Sequence, residues 1–238
     1  MRFLVAFGAL FVAACSTMPA DMVGFADVAA NAEVVRIEGV GWTRSGDFAI
    51  APLGIEGRFT RSANESGSNG LFSAEGHVRF ELAGDGEFGG LSGDCAYSRE
   101  TLRHEREIDD RVEVETSVLT GPLVYTCGFF DGDRDIGSLE LRERPGEGFD
   151  VRSLREGRSE VGGEEAALHS VHNFMQTRLP TETALGYAML FRDGEEAMLY
   201  SNGHSRYIAL PRAGEDKRAA ALLSGLALTL VWELRDSG

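Results

Sequence analysis

The sequence predicts a mainly β fold (α+β), in which an antiparallel β-barrel or strongly curved sheet wraps around a hydrophobic C-terminal helix at about residues 216–235. The run Ala219–Trp232 contains only Ser224, Gly225 and Thr229 among apolar residues, and these three do not form one polar stripe. A helix that is apolar on every side must be enclosed by protein or by lipid. Fourteen helical residues reach only about 21 Å, which is less than the roughly 30 Å of a bilayer core. The 30 glycines and the recurring short alternating segments indicate that strands and turns surround this helix.

The composition is that of a folded, acidic protein. The 238 residues are enough for one substantial domain or two small ones, and contents of 43% hydrophobic and 26% charged residues are those of a globular protein. Asp and Glu number 38 against 23 Lys and Arg, and the basic residues are scattered along the chain. Such a charge repels nucleic acid and anionic lipid headgroups, so we expect no nucleic acid partner and an acidic surface that aids solubility.

The first fifteen residues have the pattern of an export signal. Met1-Arg2 gives a positive start, and Phe3–Ala14 is an unbroken apolar run that ends in Val12-Ala13-Ala14-Cys15. The run has the length of a signal-peptide core and is too short for a stable spanning anchor. This segment resembles the lipobox of the bacterial lipoprotein family. The resemblance implies that residues 1–14 are removed and that Cys15 carries a diacylglyceryl group.

The same resemblance implies a location. Ser16 stands where an aspartate often marks retention in the inner membrane, so the outer membrane is expected, with the protein facing the periplasm. The membrane partner is then reached through the lipid on Cys15, without a spanning helix. The alternative is an ordinary secreted protein cut nearby, with Cys15 a chance cysteine.

Residues 15–33 are small and mixed and are predicted to form a tether, with one short helix over Val23–Ala32. A single β-rich domain is expected over residues 34–238. Ser62–Gly70 is predicted to be a polar loop. The early strands are predicted from alternation at Phe48–Ala51, Ile55–Arg61 and Leu71–Leu82.

The segment Gly84–Gly89 matches the spacing G-x-G-x-x-G of dinucleotide-binding loops. Such a loop should lead from a strand into a helix, whereas more glycines and a strand-like segment follow here. Asp85 and Glu87 would also repel a pyrophosphate. A hairpin turn is therefore the better interpretation.

With Cys15 lipidated, Cys95 and Cys127 remain as an even pair in an oxidising compartment, which predicts a disulfide bond. The alternative is a reactive thiol, but neither residue lies in a C-x-x-C motif or beside an obvious activating base. Between the two cysteines, the charged run Thr101–Arg111 is predicted to be an exposed loop or a short helix.

Asp131, Asp133 and Asp135 have the spacing that begins a calcium loop. Ile136 stands where the loop needs glycine, and Arg142 where it needs glutamate, so a solvated acidic turn is favoured. The segments Gly137–Glu143 and Phe149–Leu154 are predicted to pair as the next hairpin.

His169 and His172 are a second candidate metal pair. On a helix they would share a face, whereas on a strand they would point to opposite faces, and the turn-rich surroundings favour the strand. The sequence contains no H-E-x-x-H, G-x-S-x-G or P-loop motif, and no cofactor is predicted.

The C-terminal unit has the clearest pattern, with three short strands predicted at Ala184–Phe191, Ala197–Tyr200 and Arg206–Leu210 directly before the apolar helix. This order is similar to the tubby-like and LURP-one group, in which a barrel encloses a hydrophobic C-terminal helix. The resemblance covers Ala184–Gly238. Members include phosphoinositide binders that use a basic surface, and this acidic chain offers no such cluster. The alternative is an α+β domain with the helix under an open sheet.

These features predict a non-catalytic outer-membrane lipoprotein that binds a protein or envelope partner or serves a structural role. One alternative is a metal-dependent periplasmic enzyme that uses His169 and His172 with carboxylates such as Asp131 or Asp133. The other is a carrier of a small apolar ligand, which needs a cavity beside the helix. Against the carrier stands the filling of the barrel by Leu222, Leu223, Leu226, Leu230 and Trp232.

Overall fold

The computed structural model describes residues 22–84, 86–109, 112–144, 152–177, 179–202 and 206–231, without the side chains of 104–117. The elements in chain order are α1 Phe25–Ala29, β1 Glu33–Glu38, β2 Ser45–Ala51, β3 Ile55–Ser68, β4 Leu71–Ala83, β5 Leu91–Asp109, β6 Val112–Asp131, β7 Arg134–Arg144, β8 Leu154–Val161, β9 Glu164–Val171, β10 Gly186–Phe191, β11 Glu196–Tyr200, β12 Arg206–Leu210 and α2 Lys217–Leu230.

The strands form one closed antiparallel barrel. Each strand from β2 to β11 pairs with the strands before and after it in the chain. The first and last strands close the ring, with Glu33 opposite Leu210 and Ile37 opposite Arg206. Closure leaves the barrel without an open sheet edge. The predicted fold class, a barrel around a hydrophobic C-terminal helix, is confirmed.

The alternation of side chains along the strands builds the interior. In β3, Ile55, Gly57, Phe59 and Arg61 are buried, and the residues between them are exposed. Because successive strand residues point to opposite faces, one side of each strand lines the barrel and the other faces outward, where it meets solvent except beneath α1 on β11 and β12. The inward side chains form one apolar cluster together with α2.

Helix α2 occupies the middle of the barrel. All its residues from Ala220 to Leu230 are buried, and Leu222, Leu226 and Leu230 have no exposed surface. The helix is shorter than predicted, because Val231 already has an extended ψ of 128°. Residues 232–235 of the predicted helix lie outside the described residues.

The two ends of the barrel differ. We call the end where α2 begins the entry end; it holds the connections 52–54, 84–90, 132–133, 162–163, 192–195 and 211–216. The end where α2 stops is the exit end, which holds the connections 39–44, 69–70, 152–153, 172–177, 179–185 and 201–202 of the described residues.

Strands β3 to β6 continue past the barrel at the exit end and form a projecting sheet. The predicted loop Ser62–Gly70 is wrong, because β3 runs to Ser68 and pairs with β4 throughout. The predicted loop or helix Thr101–Arg111 is also wrong, because β5 is a strand to Asp109. Cross-strand hydrogen bonds hold these polar stretches as strands, although their sequences show no regular apolar alternation.

The hairpin predicted across residue 144 is correct on one side only. The segment Gly137–Glu143 lies within β7, but β8 begins at Leu154, where the predicted partner Phe149–Leu154 ends. Residues 145–151 lie outside the described residues. Charged residues and Gly157 interrupt the apolar alternation of β8, which is why the strand was missed.

Residues 22–32 of the predicted tether pack on the outside of the barrel. Met22 and Phe25 are fully buried in a second apolar cluster that includes Met198, Tyr200 and Ala209 of β11 and β12. Met22 forms a bridge with Phe174 at the exit end, and the segment then runs over α1 to β1 at the entry end. This part of the chain therefore belongs to the folded unit. Among the described residues, no helix has the length and apolar character needed to cross a bilayer.

Candidate functional site

The interior of the barrel is taken up by contacts between α2 and the wall. The Tyr125 hydroxyl of β6 donates a hydrogen bond to the Ala227 carbonyl oxygen over 2.8 Å. The hydroxyls of Ser159 and Ser224 lie 2.7 Å apart. Both contacts satisfy polar atoms that would otherwise be buried without partners.

The rest of the barrel interior is filled by the close approach of α2 to β12 and by the leucine side chains of the helix. A Cβ atom on Gly225 would lie 2.6 Å from Cδ1 of Ile208, so glycine lets α2 approach β12. Of the five residues expected to fill the barrel, Trp232 lies outside the described residues. The other four, Leu222, Leu223, Leu226 and Leu230, are fully buried.

A buried arginine holds α2 at the entry end. Arg218 has 2% of its surface exposed and donates a hydrogen bond to the Pro211 carbonyl oxygen over 2.7 Å. Its guanidinium lies 2.8 Å from a carboxylate oxygen of Glu33 and 3.4 Å from one of Glu87. It also lies 5.7 Å from the centre of the Phe88 ring. A buried charge needs such partners, so Arg218 ties the helix to β1 and to the connection 84–90.

Lys217 makes a second tie at the same end. Its ammonium donates hydrogen bonds to Asp193 and Glu195 in the β10–β11 turn. These bonds raise the pKa of Lys217, and the bond from Lys217 lowers the pKa of Asp193. Removal from water, and then the charge of Glu195, raise the pKa of the neighbouring Glu215. At the entry end, the charged side chains of Lys217, Asp193 and Glu195 therefore form a network that fixes the first turn of α2.

Two arginines secure the exit end. Arg61 is 6% exposed and donates hydrogen bonds to the carbonyl oxygens of Thr43, Gly41 and, at 3.5 Å, Leu230 at the end of α2. Burial, and then the charge of Arg206, lower the pKa of Arg61. Arg206 donates to the Val40 carbonyl oxygen over 2.7 Å. A cation at a helix C-terminus is favourable, and here it also fixes the connection 39–44 over the helix end.

Glu143 is a further charged group in the barrel wall, with 4% of its surface exposed. Its carboxylate accepts a hydrogen bond from the Leu123 N–H over 3.2 Å and lies 3.5 Å from Nε of Arg99. These contacts join β7 to β5 and β6. The carboxylate is therefore a partnered structural group.

The two candidate histidines have different surroundings. His169 lies on β9 and is exposed, whereas His172 follows the strand and is 3% exposed. The ring nitrogens of His172 lie 2.8 Å from the Thr181 carbonyl oxygen and 2.9 Å from the Ser170 hydroxyl. The interpretation of this segment as a strand is confirmed for His169. His172 fixes the long β9–β10 connection.

The three candidate aspartates lie at the β6–β7 turn. Asp131 pairs with Arg134 over 2.6 Å, and a carboxylate oxygen of Asp135 accepts the Gly137 N–H over 3.0 Å. Asp133 is exposed in the turn. Across the described part of the chain, no three His, Cys, Asp or Glu side chains converge as metal ligands.

The predicted disulfide between Cys95 and Cys127 is present. The two residues lie directly opposite each other on β5 and β6 and are buried. Cys15 lies outside the described residues. The glycine-rich segment from Gly84 joins β4 to β5, as a turn between strands and not as the start of a helix.

An open groove lies over strands β1 to β4, with a volume of about 780 Å³. Glu38, Asp47, Glu56 and Glu81 line it together with Arg58, which pairs with Glu81 over 3.1 Å. The two side chains of this pair are 76% and 68% exposed, so water hydrates them. The groove is an acidic, solvated part of the outer surface.

The exit end carries an apolar surface that the sequence did not reveal. Val23, Trp42, Met175 and Leu179 are 44%, 65%, 60% and 79% exposed, and we call them the exit-end apolar surface. The Val23 N–H donates to the Asn173 carbonyl oxygen over 3.1 Å, which joins the start of the described chain to the β9–β10 connection. These residues lie in connections without periodicity, so no pattern in the sequence could have grouped them.

The chain matches no protein-family model, no curated protein and no solved structure.

Proposed function

We propose that the chain is a bacterial lipoprotein, held in the outer membrane by a lipid on Cys15, whose barrel faces the periplasm in a non-catalytic role. The barrel then binds a protein or envelope partner, or contributes to the structure of the envelope. The observation that carries the proposal is the apolar run that ends in Val12-Ala13-Ala14-Cys15. A single thioether-linked anchor in that position attaches a folded domain to a membrane without a spanning helix.

The Cys95–Cys127 disulfide supports the proposed location in the periplasm. Disulfides persist in oxidising compartments such as the periplasm and are rare in the cytosol. Cys15 is the third cysteine of the chain and has no remaining cysteine to pair with. This leaves its thiol for acylation.

The use of the buried polar groups supports a non-catalytic role. Arg218, Arg61 and Tyr125 bind backbone or carboxylate groups that hold α2 in the barrel. His172 is similarly engaged by Thr181 and Ser170. Catalytic groups have their pKa values matched to proton transfer and are directed at a cleft, whereas these groups serve the fold.

Metabolic labelling with radioactive palmitate tests the anchor. We expect label in the wild-type protein and none in Cys15→Ala, which should also leave the membrane fraction. Ser16→Ala is the matched control, because it changes the next residue and leaves the thiol in place, so it should be labelled as the wild type is. Equal labelling of Cys15→Ala and wild type would contradict the proposal.

Membrane fractionation tests the location. The wild-type protein should collect with outer-membrane vesicles on a density gradient. Ser16→Asp should move it to the inner-membrane fraction, because aspartate at this position often retains lipoproteins there. Recovery of the wild-type protein with the inner membrane would contradict the outer-membrane assignment while leaving the lipid anchor intact.

A further inference from the structure

We propose that the barrel rests on the lipid bilayer with its exit end, and that the exit-end apolar surface enters the headgroup region. The inference rests on the proposed anchor at Cys15 and adds an orientation to it. The surface is formed by Val23, Trp42, Met175 and Leu179, as defined above.

The length of chain between the anchor and the barrel limits where the bilayer can be. Met22 is the first packed residue, and it is fixed at the exit end by its bridge with Phe174. Seven residue steps separate it from Cys15, and a fully extended chain of that length spans at most about 25 Å. A lipid on Cys15 therefore keeps the bilayer within about 25 Å of Met22, and because Met22 lies at the exit end, this reach favours the exit end as the end that meets the bilayer.

The apolar side chains are concentrated at that end. Eight large apolar side chains are exposed in the described part of the chain. Four form the exit-end apolar surface, and Leu71, Leu102 and Val118 lie in one cross-strand row of the projecting sheet at the same end. Only Leu190 lies towards the entry end. Tryptophan favours the membrane interface, which suits Trp42.

The projecting sheet leaves this contact accessible. Five strands lie between β5 and β11 in either direction around the ring, so the sheet rises on the side of the barrel opposite α1. The connections beside Met22 lie on the α1 side. The barrel axis is then inclined, with the α1 side towards the lipid.

The distribution of charge favours the same orientation. In the described parts of the exit-end connections 39–44, 152–153, 172–177, 179–185 and 201–202 there are two basic residues and one acidic residue, Arg44, Arg152 and Glu182. The described entry-end connections are strongly acidic, with Glu87, Asp133, Asp193, Glu195, Glu215 and Asp216 against Arg192 and Arg212. Bacterial phospholipid surfaces are anionic, and their repulsion acts over about 8 Å at physiological salt. The acidic end therefore faces the solvent.

Trp42 reports on this contact directly. In the mature chain, Cys15 is the one thiol outside the disulfide, so a maleimide-linked phospholipid can be attached to it chemically. The lipid-linked protein is placed in phosphatidylethanolamine–phosphatidylglycerol vesicles whose acyl chains carry bromine, which quenches nearby tryptophan. We expect quenched emission relative to ordinary vesicles. Trp42→Phe should remove the quenched component and leave the signal of Trp232, the second tryptophan.

Charge substitutions locate the surface. Met175→Glu and Leu179→Glu should each lose most of the quenching, because a carboxylate resists entry into the headgroup region. Leu190→Glu is the matched control and should keep it, because Leu190 is exposed but distant from the exit end. Urea unfolding at the wild-type midpoint shows that each variant is folded.

The outcomes separate this inference from the proposed function. Wild-type protein that floats with brominated vesicles but shows no quenching of Trp42, or equal quenching in all three glutamate variants, would overturn the orientation. Because the lipid is attached chemically, this result does not depend on acylation in cells. Failure of palmitate labelling in cells would instead overturn the anchor.

Discussion

The Tyr125 hydroxyl donates a hydrogen bond of 2.8 Å to the carbonyl oxygen of Ala227, across 102 residues of sequence. Tyr125 lies on β6 in the wall of the barrel, and Ala227 lies in the buried part of α2. Both residues have no exposed surface. The bond therefore sets the depth and rotation of the helix within the strands.

Tyr125→Phe should lower the free energy of unfolding by about 1 kcal/mol, because one buried hydrogen bond is lost and the ring remains. Urea unfolding followed by circular dichroism measures the difference. Tyr207→Phe is the matched control, since the hydroxyl of this half-buried tyrosine makes no hydrogen bond among the described residues. Equal midpoints for Tyr125→Phe and wild type would show that the bond contributes nothing.

Leu226→Ala should destabilise the protein by about 3 kcal/mol, because it leaves a cavity where α2 faces the wall. Leu190→Ala makes the same chemical change at a side chain that is 41% exposed, and it should cost less than about 1 kcal/mol. The comparison is made by urea unfolding under identical conditions. Similar losses in the two variants would argue against an enclosed helix.

Reduction of the Cys95–Cys127 bond should lower the free energy of unfolding by up to about 3.7 kcal/mol, from the chain entropy of the loop that it closes. Unfolding with and without reductant, and unfolding of the Cys95→Ala/Cys127→Ala double variant, measure this loss. A count of free thiols that does not change on reduction of the denatured chain would show that the bond is absent in the purified protein.

Glu215 should make the stability depend on pH. Its pKa is raised in the folded protein, first by removal from water and then by the charge of Glu195, so the folded state binds the proton more tightly than the unfolded chain. The stabilising contribution of the protonated group is present below the ordinary glutamate pKa of about 4.3 and is lost as the pH rises through the folded value. At pH 7 the ionised carboxylate therefore destabilises the fold.

Glu215→Gln should accordingly raise the free energy of unfolding at pH 7, and the gain should shrink as the pH falls below the ordinary glutamate value. Thermal unfolding across this pH range measures the difference. Glu196→Gln, at an exposed carboxylate on β11, is the control and should change little. If Glu215→Gln raised the free energy of unfolding equally at pH 7 and below the ordinary glutamate pKa, the ionisation of Glu215 could not be the cause.

The central helix and the last three strands could be predicted because the pattern of apolar residues in the sequence indicates that they are buried. Leu222, Leu226 and Leu230 lie on a helix that is buried on all sides. A segment that is apolar on every face must be enclosed by the rest of the protein or by lipid, so its position could be predicted from its sequence. The short strands β10 to β12 are bounded by turn residues and have the apolar content of a barrel wall.

The strands within Ser62–Gly70 and Thr101–Arg111 were not predicted, because these stretches are mostly polar and charged and lack a regular apolar alternation. Ser66 pairs with Ser73 across the local turn Asn69-Gly70, whereas Glu100 lies opposite Gly121, 21 residues further along the chain. Single-sequence patterns register burial and do not register pairing between exposed strands.

The exit-end apolar surface could not be predicted from the sequence for a different reason. Val23 lies in a segment whose composition indicates a tether, and Leu179 lies in a long connection. Only the hydrogen bonds around Asn173 bring these parts together.

The position of α2 after all twelve strands has a consequence for biosynthesis. Strand β12 closes the ring against β1, and α2 fills the barrel immediately afterwards, so a nascent polypeptide lacks both the closing strand pair and the central helix until all the strands have been synthesised. Such late, long-range closure makes assembly slow. A premature stop before Arg206 therefore yields a product that lacks both the closing strand and the central helix and is exposed to proteases.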